Sequence, residues 1–318
     1  MNFIKKIINR FIKGLSNISK KHDVNELKHL TAQILIRDYK KKDYLSNIGD
    51  TEFKIYSQWG EDGIIQYLIN KIPINNKVFI EFGVENYIES NTRFLLENDN
   101  WSGLVMDGSK KNIQQIKKDY LYWKYDLQAK DIFITKDNIN NIIKEYIDSN
   151  GYNKEIGLLS IDIDGNDYFV WDAIDAIDPV IVICEYNWIF GNRMRLSVPY
   201  DENFIRSEKH HSNLYFGASI NALYHLGQSK GYEYIGCNKA GNNAFFIKQE
   251  YTKFVDNLVT NPSELFNEQK TKESRNTKGE LNFVRGEDRI QMIKDLEVVD
   301  LESRKKFKLK NLIEDKKI

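Results

Sequence analysis

The sequence is poor in residues that interrupt or cross-link a chain. Its 318 residues include 4 prolines and 2 cysteines, and its 46 basic and 46 acidic side chains cancel to a formal net charge of zero. So little proline excludes a proline-rich linker. Cys184 and Cys237 lack metal-site spacing and lie in apolar, strand-like runs, so we expect buried thiols, which favour a reducing compartment. The cancelled charge provides no whole-chain attraction for nucleic acid or for an anionic membrane.

The N-terminal segment lacks the apolar length of a membrane-spanning helix and of a signal peptide. Residues 1–20 are instead basic and amphipathic, with apolar side chains at helical spacing. Two interpretations remain open: a helix that lies on a membrane surface, and a helix that docks on the domain or on another subunit. We therefore expect a cytoplasmic protein that binds no nucleic acid, with peripheral membrane contact and oligomer formation as open alternatives.

The sequence does contain a long stretch of alternating strand-like and helix-like runs. Residues 1–50 predict an N-terminal helical extension, residues 51–250 one α/β domain, and residues 251–318 a polar C-terminal helical extension. The alternation predicts a parallel sheet. Seven short apolar runs predict its strands, at residues 78–82, 103–107, 131–135, 156–162, 180–186, 232–238 and 243–249. The last two runs are joined by "KAGN" and predict a β-hairpin, so one late strand is expected to run antiparallel.

Polar residues follow the first three predicted strands, at the edge where ligands bind in an open parallel sheet. Gly83 allows close approach of the backbone to a ligand, and Glu81 beside it suits the amine of an amino-acid group. Asp107 follows about 25 residues later, where a carboxylate can accept hydrogen bonds from both hydroxyls of a ribose. Asp137 and Asn138 follow the third strand and are candidates for contact with an adenine amine. Helix capping is the alternative for the last three residues.

The fourth and fifth predicted strands end in further oxygen-bearing side chains. Asp162 and Asp164 share a face of an extended chain, as do Glu185 and Asn187 after the next strand. Convergence of these four groups predicts a divalent cation bound by oxygen atoms, with Mg²⁺ the first choice by ligand type. A bound substrate amine or hydroxyl group, and a solvated acidic cleft, are the alternatives. Asp167 is expected in the first turn of the next helix.

A long connection, residues 188–216, follows the fifth strand and faces the same edge of the sheet. Its aromatic residues suit a sugar ring, and its arginines, among them Arg206, suit a phosphate or carboxylate on an acceptor. A solvated lid is the alternative. His210 and His211 within this connection, together with Asp162, are the candidate catalytic groups, with a histidine as the general base.

Six segments together resemble the FkbM-like group of class I S-adenosylmethionine-dependent methyltransferases; they span residues 56–65, 79–97, 102–109, 158–174, 182–187 and 231–247. The resemblance implies a Rossmann-like, seven-stranded, mostly parallel sheet with an antiparallel last strand. It also implies that S-adenosylmethionine is bound by Glu81 and Gly83 at its methionine end and by Asp107 at its ribose. The segment "SQWGED" would be a lid, with Gln58 closing over the cofactor.

The resemblance further implies methyl transfer to oxygen in small molecules and sugars, and some related sugar O-methyltransferases require Mg²⁺. We therefore expect methylation of a sugar hydroxyl, within a bacterial pathway for capsule or lipooligosaccharide. One alternative is a catalytically silent cofactor-binding module that serves assembly, since the first loop carries Val84, Glu85 and Asn86 where glycine-rich relatives have more glycine. The other is a Rossmann-type nucleotide-sugar enzyme, against which the absence of GxGxxG and the final hairpin count.

Overall fold

The computed structural model describes residues 24, 26–39, 45–271 and 273–315. The chain divides into two compact units, Met1–Asp43 and Tyr44–Ile318. In the first unit, residues 26–39 form helix α1, in which Ala32, Ile36 and Tyr39 are buried. The amphipathic segment predicted at residues 1–20 lies outside the described residues. Among those that are described, no helix combines the length and the apolar character needed to cross a membrane.

The second unit contains strands and helices in alternation. Its strands are β1 (Val78–Phe82), β2 (Ser102–Asp107), β3 (Leu127–Asp131), β4 (Glu155–Ile161), β5 (Asp178–Glu185), β6 (Leu196–Ser197), β7 (Tyr232–Cys237), β8 (Asn243–Lys248), β9 (Glu297–Asp300) and β10 (Lys305–Lys308). Its helices are α2 (Glu61–Lys71), α3 (Arg93–Asp99), α4 (Lys110–Lys118), α5 (Tyr120–Lys124), α6 (Ile139–Asn150), α7 (Asp167–Ala173), α8 (Arg206–Lys209), α9 (Ile220–Ser229), α10 (Glu287–Ile293) and α11 (Leu309–Glu314). Short 3₁₀ helices lie at Ile48–Thr51, Trp188–Phe190, Gln249–Phe254 and Asp256–Leu258.

A seven-stranded sheet forms the centre of this unit, in the order β3-β2-β1-β4-β5-β8-β7. Strands β1 to β5 pair in parallel, whereas β8 runs antiparallel to both of its neighbours. The predicted Rossmann-like fold, with a mostly parallel sheet and an antiparallel last strand, is confirmed. Both predicted thiols are free and buried in strands β5 and β7.

Helix boundaries follow local sequence signals. The Ser109 hydroxyl accepts a hydrogen bond from the Asn112 N–H and so caps α4, which buries Ile113 and Ile116 and turns its lysines to solvent. Helix α6 ends at Gly151, whose φ of 65° is the left-handed conformation that stops a helix. The helices thereby present apolar faces to a sheet that is itself buried on both sides.

The third strand lies about four residues earlier than predicted. The apolar run at residues 131–135 was expected to be this strand, but β3 is Leu127–Asp131. The correction has a physical reason, because β3 is the edge strand and alternates buried and partly exposed residues rather than forming an apolar run. Ile132, Phe133 and Ile134 follow it and line a cavity instead.

A second layer orders the long connection after β5. Strands β6, β9 and β10 form a small antiparallel sheet that joins residues 188–216 to the C-terminal part of the chain. Buried apolar side chains of both segments pack together, among them Phe190, Leu196, Phe216, Val298 and Leu309. This packing holds the connection over the carboxyl ends of β4 and β5.

Candidate active site

A cavity of about 500 Å³ opens at the carboxyl ends of β1, β4 and β5. Strand order reverses between β1 and β4, which is the switch point where an open α/β sheet leaves room for a ligand. A smaller cavity of about 160 Å³ adjoins the first, since both are lined by Gly83, Asp162, Asp164 and Phe204. Together the two cavities extend from the end of β5 to the end of β2.

Gly83 lies where the two cavities adjoin. Its φ is 71°, and a Cβ at this position would lie 1.5 Å from the carbonyl oxygen of Asp162. Its N–H donates to the carbonyl oxygen of Met106 at 2.9 Å. Only glycine satisfies both the backbone angle and the contact with β4, so the loop after β1 and the loop after β4 meet at this residue.

Glu81 lines the large cavity and also anchors the loop that leads into α3. One carboxylate oxygen accepts the N–H of Asn91 at 2.8 Å, and the other accepts the N–H of Thr92 at 3.1 Å and the Thr92 hydroxyl. Burial raises the pKa of Glu81 to about 7, although these hydrogen bonds oppose the rise. The residue therefore presents a carboxyl group to the cavity and fixes the adjoining backbone.

Asp107 faces the smaller cavity from the end of β2. Its carboxylate accepts the N–H of Glu85 at 2.8 Å, the N–H of Ser109 at 2.8 Å and the side-chain amide of Asn112 at 3.1 Å. Phe133 stands across the same cavity with 45% of its surface exposed. An acid beside an open aromatic face offers both hydrogen-bond acceptance and stacking.

Three carboxylates meet at the other end of the large cavity. Asp162, Asp164 and Glu185 each place an oxygen atom within 4.8 Å of the others. Glu185 is 6% exposed, and its Oε2 has no hydrogen-bond partner. Burial, followed by repulsion from the neighbouring acids, raises the pKa of Asp162 and of Glu185 well above the ordinary values. The charge of Arg206 opposes this rise in the pKa of both acids without cancelling it.

Asp167 holds the loop that carries two of these acids. One oxygen accepts the N–H of Ile163 at 2.8 Å and the other accepts the N–H of Gly165 at 2.9 Å. The loop needs this support because Asp164 lies in the left-handed region with φ at 56°. Asp167 begins α7 as expected, and the structure adds this bracing of the loop, which local pattern did not reveal.

Arg206 covers the cluster from α8. Its guanidinium forms an ion pair with Asp164, donates from Nε to the Asn213 carbonyl at 2.7 Å, and lies 3.7 Å from the ring centroid of Phe216. Among the described residues that line the large cavity, seven bear carboxylates and Arg206 alone bears a basic group. The cavity therefore attracts cationic ligands and repels anionic ones.

The "SQWGED" segment reaches the large cavity through Gln58, which lines its wall. Asp62 braces it from within, because one carboxylate oxygen accepts the N–H groups of Ile55, Tyr56 and Ser57 at 2.7, 2.7 and 2.8 Å. Burial raises the pKa of Asp62 to about 6 from 3.8. Its second oxygen is buried without a partner.

We expect this carboxyl group to make stability fall as pH rises. The folded form keeps its proton up to about pH 6 and the unfolded form loses it near pH 4, so the free energy of unfolding drops by about 3 kcal/mol across that window. In Asp62→Asn the contribution of this group to the fall in unfolding free energy should vanish. Urea unfolding at pH 4 and pH 6 would measure the change. The exposed Asp50→Asn should retain the wild-type slope, and an unaltered slope in Asp62→Asn would contradict the assignment.

The structure does not bring the remaining candidates to the cavities. Asn138 accepts the N–H of Thr135 at 2.9 Å, and the neighbouring Asp137 is exposed. Asn187 is buried elsewhere, where its amide donates to the carbonyls of Leu214 and Phe216 at 3.0 Å.

The two candidate histidines also lie outside the cavities. His210 contacts the Ser212 hydroxyl at 2.7 Å and its ring lies 4.1 Å from that of His211, which is exposed. Burial lowers the pKa of His210, followed by the nearby His211. Neither histidine lines a cavity, whereas Asp162, the third candidate catalytic group, lines both.

Sequence reasoning missed Asn243, which begins β8 and lines the large cavity. It pairs in register with Glu185 of β5. The sequence predicted that residues 243–249 form the last strand, but it did not predict which residue lies opposite Asn243. That neighbour depends on the pairing of two strands that are distant in sequence.

No family model matches this sequence, and no curated protein matches it as a relative. Solved structures with a partial likeness include the N-terminal domain of EvdMO1 in the presence of SAH and D-fucose, at 8% identity and a TM-score of 0.38, over 59% of this chain and 80% of that chain. A S-adenosylmethionine-dependent methyltransferase from Clostridium acetobutylicum ATCC 824 matches at 9% identity and a TM-score of 0.34, over 59% and 89% of the two chains. PKMT2 from Rickettsia typhi in complex with AdoHcy matches at 11% identity and a TM-score of 0.37, over 60% of this chain and 53% of that chain. These likenesses are remote, and the fold assignment rests on the strand order of this chain.

Proposed function

We propose that this chain is a S-adenosylmethionine-dependent methyltransferase that methylates a hydroxyl group of a sugar. The observation that carries the proposal is the pair of adjoining cavities at the switch point of the sheet, with Gly83 and Asp162 shared between them, Asp107 at one end and Glu185 at the other. This strand order is shared by proteins of other functions, so the proposal depends on the site rather than on the fold.

The cofactor fits the first half of this space by size and by chemistry. Taken together, the two cavities of about 500 and 160 Å³ fall within the range of small-molecule sites, about 300–1,000 Å³. Asp107 would accept hydrogen bonds from the ribose hydroxyls, and Phe133 would stack on the adenine. Glu81 and the backbone at Gly83 would hold the methionine end, with Gln58 closing from the entrance. The acidic wall suits a ligand that bears a sulfonium charge.

The acceptor would occupy the acidic end. Bound S-adenosylmethionine supplies an electrophilic methyl group, and a hydroxyl oxygen that gains this methyl must lose its proton. Without a bound cation, the ionised carboxylates of Asp162 and Glu185 would accept that proton. Holding the two reactants in line would supply much of the rate. The wall at Arg206, whose charge is already paired with Asp164, suits a neutral sugar better than a phosphorylated one.

A divalent cation fits the same end of the cavity. Three carboxylates within 4.8 Å and an unpartnered, buried Glu185 oxygen form the all-oxygen donor set that Mg²⁺ prefers. Asp162, Asp164 and Glu185 would hold the ion. A bound Mg²⁺ lowers the pKa of a hydroxyl group that it contacts and orients it. In such a state Asp164 would be shared between the cation and Arg206.

Calorimetry with Asp107→Ala tests the cofactor half of the proposal. We expect the affinity for S-adenosylmethionine to fall at least about 10-fold, because a hydrogen bond to a charged group contributes about 1.5–3 kcal/mol. Asp137→Ala is the control and should bind as wild type does, since Asp137 lies outside both cavities. Unchanged affinity in Asp107→Ala would remove the ribose assignment, and tight binding of NAD by the wild type would favour a dinucleotide enzyme.

Turnover with a panel of acceptors tests the other half. Transfer of a labelled methyl group from S-adenosylmethionine should be faster to neutral sugars than to the corresponding sugar phosphates. Addition of a chelator should slow it, and Mg²⁺ should restore it. Binding of the cofactor with no transfer to any sugar would leave a cofactor-binding protein with a different acceptor or with none.

A further inference from the structure

The side-chain amide of Asn243, a residue that lines the large cavity, has an oxygen without a hydrogen-bond partner. Asn243 lies opposite Glu185 in the antiparallel pair of β5 and β8, so the two side chains share a face of the sheet with Cβ atoms about 5 Å apart. It is 4% exposed, and its Oδ1 has no hydrogen-bond partner although it lines the cavity. A buried polar atom of this kind is unfavourable unless a ligand meets it.

The orientation of this amide follows from the hydrogen bonds behind it. Asn238 stands in the turn before β8, and its Oδ1 accepts the backbone N–H groups of Gly241, Asn242 and Asn243 at 3.0, 3.1 and 3.2 Å. Backbone N–H groups can only donate, so the amide nitrogen of Asn238 must point the other way. It donates to the carboxylate of Glu61.

Glu61 then fixes Asn243. One oxygen of Glu61 accepts the N–H groups of Trp59 and Gly60 at 3.1 and 2.9 Å, and the other accepts the amides of Asn238 and Asn243, the latter at 3.0 Å. The Glu61 oxygens accept from all four of these groups, so each amide directs its nitrogen to Glu61. Asn243 must therefore turn its nitrogen to Glu61 and its oxygen to the side opposite Glu61.

We propose that the amide oxygen of Asn243 is a fourth protein ligand of a divalent cation held by Asp162, Asp164 and Glu185, and that Glu61 is the positioning residue that aims it. This inference rests on the proposed function for the presence of the ion. A neutral amide oxygen is an ordinary ligand for hard cations. It completes the donor set without adding a fourth negative charge to a buried cluster whose acids already repel one another.

The hydrogen bonds of Glu61 connect the segment that carries Gln58 with Asn243, and both of these residues line the cavity. Glu61 is buried at the start of α2, two residues after the backbone of Trp59 and three after Gln58, which lines the cavity. It does not itself line the cavity, so its effect on a bound cation passes through Asn243. Partners behind a metal ligand typically change metal affinity by about 10- to 100-fold when they are removed.

Binding of Mn²⁺ to the full-length protein tests the inference, with MnCl₂ as the probe and the electron paramagnetic resonance of free Mn²⁺ as the readout. Asn243→Ala should weaken binding about 10-fold or more. Glu61→Gln should weaken Mn²⁺ binding about 10-fold. A glutamine amide can donate to the Asn243 oxygen, so the Asn243 amide can rotate and lose the orientation that aims its oxygen at the cation. Asn242→Ala is the matched control: it is a buried neighbour that accepts a hydrogen bond from Asn238 at 2.7 Å but does not line the cavity, and it should bind Mn²⁺ as wild type does.

The double variant separates positioning from a general structural effect. In the Asn243→Ala background, Glu61→Gln should produce no further loss of Mn²⁺ affinity. Equal losses in both backgrounds, or wild-type affinity in Asn243→Ala, would overturn the proposal; Glu61→Gln is isosteric and decides the matter if Asn243→Ala does not fold. Wild-type protein that binds S-adenosylmethionine but no Mn²⁺ overturns this inference alone. Protein that binds Mn²⁺ as described but no S-adenosylmethionine overturns the proposed function instead.

Discussion

Gly83→Ala is expected to unfold or severely destabilise the protein and to abolish binding of S-adenosylmethionine. The added Cβ would lie 1.5 Å from the carbonyl oxygen of Asp162, and the backbone φ of 71° is itself unfavourable for alanine. Left-handed strain and overpacking each contribute about 1–3 kcal/mol, so we expect a loss of about 4 kcal/mol in the free energy of unfolding. Urea unfolding, followed by calorimetry with S-adenosylmethionine on whatever folds, would measure both effects.

Gly151→Ala separates the clash from the backbone strain. Gly151 ends α6 with a φ of 65°, and no atom lies within 4 Å of the position that its Cβ would take. Its substitution should therefore carry only the left-handed strain, roughly 1 kcal/mol, and leave cofactor affinity unchanged. Equal losses of stability in the two variants would show that the contact between the loops after β1 and β4 is not tight.

The central strands were predictable because they are buried on both faces. Residues 78–82 are apolar except for Glu81, residues 243–249 contain the apolar run 244–247, and both segments became strands within one residue of the prediction. The edge strand β3 was misplaced because Lys130 and Asp131 within it face water, while the apolar run after it belongs to a cavity wall. The local sequence pattern indicates which residues are buried, and buried residues can line a ligand site as well as form a strand.

The sequence allowed one cavity lined by several strand ends to be anticipated, since the carboxyl ends of parallel strands share an edge of the sheet. The residues that meet there are Glu81, Gly83, Asp162 and Glu185. The fourth ligand that we propose could not be anticipated in the same way. Period-two alternation places Asn187 beside Glu185 only if the strand continues, but the chain turns there into a 3₁₀ helix that Asn187 caps. The residue that lies beside Glu185 instead comes from β8, through a register that only the folded sheet defines.

Glu185→Gln is expected to reduce methyl transfer about 10²–10³-fold, the range for loss of a positioned acid or base, while leaving the protein as stable as wild type or more so. Glu185 is buried among other acids with one oxygen unpartnered, so ionising it in the folded protein is unfavourable, and an isosteric amide avoids this cost. Affinity for S-adenosylmethionine should change less than 2-fold, because the cofactor is proposed to occupy the side of the cavity at Gly83 and Asp107.

Opposite changes in activity and stability would mark Glu185 as a residue retained for function. Asp178→Asn is the control on the same strand, since Asp178 lies at the amino end of β5 and pairs with Lys248 at 2.5 Å in a partly exposed ion pair. That variant should keep full activity and lose at most about 1 kcal/mol of stability. If Glu185→Gln instead retained full turnover, or lost stability as a core substitution does, the carboxylate cluster would be a structural feature of the sheet edge and the acceptor would have to bind elsewhere.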